Sequence, residues 1–67
     1  MGNQTQAKYK LRVTPCMCTG RYQIEVCDVG NNNGGWKRFG GFTYMDEGMA
    51  QIVIWMITAK YPQYREE

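Results

Sequence analysis

The stretch Lys8-Tyr9-Lys10-Leu11-Arg12-Val13-Thr14 decides the architecture of this chain, because apolar residues alternate along it with basic or hydroxyl residues. Successive side chains of an extended strand point to opposite faces, so the spacing predicts a half-buried strand. Tyr9, Leu11 and Val13 form its apolar face, and Lys8, Lys10, Arg12 and Thr14 the other. Pro15 has no N–H for a ladder, so Pro15 to Gly20 is expected to connect to a second strand over about Arg21 to Val29. There Tyr22, Ile24 and Val26 alternate with Arg21, Gln23 and Glu25, which completes an antiparallel hairpin.

Beyond the hairpin, Gly30-Asn31-Asn32-Asn33-Gly34-Gly35 concentrates residues that tolerate positive φ and predicts an exposed loop. Trp36 to Phe42 reads as a third strand, with Gly40-Gly41 marking a bulge, a close approach to the backbone or a bend of the strand that admits the helix. Thr43-Tyr44-Met45-Asp46 has capping-box spacing, and Asp46 or Glu47 suits the positive end of a helix. The helix is expected to run to Lys60 or Tyr61, since Pro62 disfavours helical angles in the residue before it. Met49, Ile52, Val53, Met56 and Ala59 gather on one stripe, the expected core face, with Ile54 opposite and Trp55 on its flank.

The expected fold is therefore α+β: a three-stranded antiparallel sheet packed against one C-terminal helix, in the order β-β-β-α. Residues 1–7 form an expected flexible N-terminal tail, 8–61 the single domain, and 62–67 a polar C-terminal tail. At 67 residues the chain has room for one small core, which favours binding on an outer face over a deep catalytic cleft.

Composition narrows the chemistry. No His and no Ser occur, so Ser-His-Asp, Cys-His and His-metal constellations cannot be built from one copy of the chain. Glu25 and Asp28 fall on opposite faces of a regular strand and do not form an acid–base pair. The glycine-asparagine loop lacks the Gly-Lys-Ser/Thr ending of a phosphate cradle. Cys16, Cys18 and Cys27 include no Cys-x-x-Cys pair and read as reduced thiols. No enzymatic activity, metal or cofactor is expected. No apolar run is long enough to span a bilayer, so a cytoplasmic location with no membrane association is expected, inside a host cell if the source is a phage.

The net charge of +2 conceals an asymmetry. Residues 1–45 hold six basic residues against two acidic ones, and residues 46–67 hold two against four. The basic strand face gathers Lys8, Lys10, Arg12, Arg21 and Gln23 with Lys37 or Arg38 from the third strand. Basic side chains neutralise phosphates, and Arg or Gln can read base edges, so DNA or RNA is the expected partner. A second candidate surface is the apolar excess beyond the core stripe, Ile54, Trp55, Tyr61 and Tyr64, which suits a protein partner or a homodimer.

The run Arg21-Tyr22-Gln23-Ile24-Glu25-Val26, followed by Trp36-Lys37-Arg38-Phe39-Gly40-Gly41-Phe42-Thr43 and Asp46-Glu47-Gly48-Met49-Ala50, resembles a pattern found in two families. These are the plant apetala/ethylene-response DNA-binding domain and the arm-type DNA-binding domains of tyrosine integrases. The resemblance covers about 21–61 and implies a sheet face that enters the DNA major groove, with Arg21, Gln23, Lys37 and Arg38 in the reading positions. In size and binding-only composition the chain is also similar to small phage and mobile-element proteins that inhibit a host defence complex, anti-CRISPR proteins among them. That likeness implies a larger protein or ribonucleoprotein complex as the alternative partner.

Overall fold

The computed structural model describes residues 7–30 and 34–67. The expected tail, apart from Ala7, and positions 31–33 of the loop lie outside the described residues. The elements are β1 (Tyr9–Cys16), β2 (Arg21–Asp28), β3 (Trp36–Arg38), α1 (Glu47–Lys60) and β4 (Tyr64–Glu66). They form an α+β fold in which one helix covers one face of a mixed four-stranded sheet of order β3-β2-β1-β4.

The alternating stretch behaves as its spacing dictates. β1 and β2 pair antiparallel along their whole length, with Leu11 opposite Val26 and Val13 opposite Ile24, so the apolar sets share one face. The turn closes through amides of Thr19 and Gly20 donating to the Cys16 carbonyl at 3.3 and 2.9 Å, and Gly20 takes a φ of 73°. Pro15 lies within β1, opposite Tyr22, not in the connection. The Tyr22 amide donates away from β1, to the Tyr44 carbonyl at 2.9 Å, so at this pair the backbone polar groups face outward and the missing N–H breaks no rung.

β3 is shorter than the expected 36–42. The Phe39 amide still donates to the Ile24 carbonyl at 2.8 Å, but Gly40 then adopts a φ of 76° and turns the chain out of the ladder. Tyr44 returns to bridge Tyr22 through two backbone hydrogen bonds. The helix cap is Asp46, whose Oδ1 accepts from the Met49 amide at 3.0 Å, so Thr43 is not the capping residue. Tyr61 ends the helix in an extended conformation, as a residue preceding proline prefers.

The core consists of Leu11, Ile24, Ala50 and Ile54, flanked by Val13, Tyr22, Val26, Phe39, Tyr44, Val53, Ile57 and Tyr64. This corrects the expected helix stripe: Ile54 is fully buried, whereas Met49, Ile52 and Met56 are 49%, 53% and 64% exposed, and Ala59 is exposed too. The helix is apolar around most of its circumference, so periodicity alone defines two stripes. Tyr44, tied to Tyr22 two residues before the Asp46 cap, sets how the helix enters and which stripe meets the sheet.

The second correction concerns 62–67, which is no free tail. β4 pairs parallel to β1, with Tyr64 beside Tyr9 and Arg65 beside Lys10. The Gln63 carbonyl accepts from the Lys8 and Tyr9 amides at 2.9 and 3.0 Å, and the Glu67 amide donates to the Leu11 carbonyl at 2.9 Å. Tyr64 sits 5.2 Å from the Tyr9 ring and 5.5 Å from the Phe39 ring. Glu66 turns to the helix side and accepts from Gln51 Nε2 at 2.6 Å and Trp55 Nε1 at 3.2 Å, tying α1 to the edge strand.

Candidate nucleic-acid interface

Pairing register sorts every strand side chain onto one of two faces. On the face away from α1, Lys10, Arg12 and Thr14 of β1 align with Cys27, Glu25 and Gln23 of β2, and Cys16 aligns with Arg21. Trp36 and Arg38 of β3 align with Cys27 and Glu25, while Arg65 aligns with Lys10. Five of the sequence-predicted residues are thus brought together on this face, namely Lys10, Arg12, Arg21, Gln23 and Arg38.

Lys37 is not among them. It pairs with Val26, a core-facing residue, and lines a cleft of about 340 Å³ on the helix side with Tyr9, Phe39 and Tyr64. Neighbouring strand residues point to opposite faces, so Lys37 and Arg38 cannot both join the outer sheet face. Lys8 is exposed just ahead of β1.

The outer face carries five basic side chains, Lys10, Arg12, Arg21, Arg38 and Arg65, against the single acid Glu25. The remaining charged side chains of the protein sum to −2, so the net +2 separates into a basic sheet face and a mildly acidic remainder.

At its centre is a polar cluster. Glu25 Oε1 accepts from Arg12 Nη2 at 2.9 Å, Arg12 Nε at 3.1 Å and the Thr14 hydroxyl at 3.0 Å. Gln23 Nε2 donates to Glu25 Oε2 at 3.2 Å, which leaves the Gln23 carbonyl oxygen as an acceptor. Partial burial by itself would raise the Glu25 carboxyl, but hydrogen bonds from Arg12, Thr14 and Gln23 outweigh it and hold the group below its ordinary range. The Arg12 guanidinium also stacks on Trp36, 4.0 Å from the ring centroid, with the Lys10 ammonium 5.9 Å from the same ring.

Trp36 and Arg65 are the aromatic and basic members of this face that sequence reasoning left out. Trp36 was hidden because the length of the loop does not fix the β3 register. Arg65 was hidden because three residues are too few for a readable alternation. Among the described residues Arg12–Glu25 is the only ion pair, so Arg21, Arg38 and Arg65 make no such contact with an acidic group.

Cys16 and Cys27 share this face, and Cys18 lies in the turn between β1 and β2. All three thiols are free, and among the described residues no three His, Cys, Asp or Glu side chains converge as a metal site requires. The Thr19 side chain, backbone hydrogen bonds at Thr19 and Cys18, and the nearby Arg38 charge together lower the Cys16 thiol from its usual value.

The expected protein-binding set also divides. Trp55 and Tyr61 are 57% and 44% exposed, but Ile54 is sealed in the core and Tyr64 is half-buried in an aromatic cluster with Tyr9 and Phe39. Neither of the latter two is free to form a surface patch. Among the described residues no helix is long and apolar enough to cross a membrane. Comparison with protein-family models, curated proteins and solved structures finds no match.

Proposed function

We propose that this domain is a noncatalytic module that binds the phosphate backbone of DNA or RNA through the outer sheet face. The observation that carries this reading is the segregation of charge: five basic side chains and one acid on a face that no other element covers among the described residues. Lys10, Arg21, Arg38 and Arg65 have the reach and charge to contact phosphates. Arg12 is oriented by Glu25 and Trp36, and the free Gln23 carbonyl oxygen and the Trp36 ring offer a base acceptor and a stacking surface.

Fluorescence-anisotropy titrations of labelled duplex DNA and single-stranded RNA, each at two salt concentrations, test the proposal. Saturable binding that weakens steeply with salt is expected, with a logarithmic slope of roughly 0.9 per neutralised duplex phosphate and 0.7 for single strands. Comparison of the two arms identifies the preferred form. Absence of binding to either at low salt overturns the proposal and leaves a protein or ribonucleoprotein complex as the partner to seek.

A further inference from the structure

The helix has a second apolar stripe that no other element covers among the described residues. Met49, Ile52, Met56 and Ala59 follow one another at spacings of three, four and three, and all are exposed. Trp55, 57% exposed, borders the stripe, and Met45, 70% exposed, lies just before the helix in chain order. At about 100° per residue this stripe falls on the side of α1 away from Ala50 and Ile54. Such alternating spacing is that of a seam between two helices.

We infer that the occupant of this seam is a second copy of the chain, packed with its α1 antiparallel about a two-fold axis near Ile52 and Val53. Charge complementarity specifies the partner and its direction. Asp46 caps the start of the helix, and Lys60 lies in its last turn on the same flank of the stripe. An antiparallel pairing that sets Met49 opposite Met56 brings Lys60 of each chain beside Asp46 of the other. It also opposes the two helix dipoles. A two-fold interface must be self-complementary, and a stripe with opposite charges at its two ends satisfies that condition. Within one chain those charges stand about 21 Å apart, too far to interact directly. One helix face is smaller than the roughly 800 Å² per partner of a standard interface, so the dimer dissociates on dilution.

Sedimentation equilibrium of the whole chain over a concentration series tests the inference. A mass approaching twice 7.8 kDa at high concentration, falling toward the single-chain value on dilution, is expected. Ile52→Glu is expected to remove the dimer while the far-UV circular dichroism and melting of the dilute protein stay unchanged, because Ile52 lies outside the core. Lys60→Glu is expected to weaken the dimer several-fold. Adding Asp46→Asn, which keeps a capping side chain, is expected to restore part of the loss. A monomer at all concentrations up to about 0.5 mM, a dimer that survives Ile52→Glu, or independent effects of the Lys60 and Asp46 changes would each overturn it.

Discussion

The guanidinium of Arg12 lies 4.0 Å from the centroid of the Trp36 ring, although β1 and β3 are not neighbours in the sheet. The Arg12 side chain crosses β2 to make this contact and is secured midway by Glu25. One arginine therefore links three strands on the outer face. Its planar group meets both a carboxylate and an aromatic ring, a combination that lysine cannot reproduce.

Protonation of Glu25 loosens this arrangement. The carboxyl is held below its unfolded value, so its stabilising contribution is present above roughly pH 4.3 and is lost as the pH falls through its folded value. Thermal melts of the native protein are expected to shift downward across that acid range. Glu25→Gln is expected to lower the melting temperature near neutrality and flatten the acid dependence, which melts at a series of pH values will show.

Lys37 and Arg38 provide a test of which face binds. They are adjacent and alike in charge, but their register sets them on opposite sides of the sheet. Arg38→Glu is expected to reduce nucleic-acid affinity at least tenfold and to lower the salt slope by about 1 or more. Lys37→Glu, equal in charge change, is expected to cost much less in the same anisotropy titration.

The two helix stripes make opposite demands on stability. Ile54→Ala opens a cavity in a core with, among the described residues, only four fully buried side chains and is expected to cost about 2–5 kcal/mol, enough to unfold much of so small a domain. Ile52→Ala is expected to change the stability of the dilute protein by less than about 0.5 kcal/mol. Urea denaturation of both variants at low concentration measures the contrast.

Removal of the last four residues is expected to damage the whole domain. Tyr64 packs on Tyr9 and Phe39, Glu66 holds Gln51 and Trp55, and the Glu67 amide bonds to Leu11. A chain ending at Gln63 is expected to melt well below the full chain. Tyr64→Ala alone is expected to cost on the order of 2 kcal/mol, below the full cost of a buried aromatic because the residue is half-buried. Circular dichroism melts of the two variants check this.

The two long strands were legible because each alternates over enough residues to fix both its existence and its inward face. That correctly brought Lys10, Arg12, Arg21 and Gln23 to one surface. The helix limits were legible from Asp46 and Pro62, but its rotation was not, since Met49 and Ile52 are as apolar as Ala50 and Ile54. The same ambiguity made Ile54 look like a surface residue. β4 was illegible because Tyr64-Arg65-Glu66 carries one apolar residue, and its place in the fold comes from partners far away in sequence. Without that strand, Arg65 could not be assigned to the basic face.

The strand order also bears on how the protein avoids sticking to itself through its backbone. Both long strands lie inside the sheet, and the edges are three-residue strands bearing Lys37, Arg38 and Arg65. Beyond Leu11, β4 leaves part of β1 uncovered, and there Pro15 interrupts the row of amide donors. A strand from another molecule would find short, charged borders and a gap in the template, so edge-to-edge growth into larger sheets is blocked at both sides.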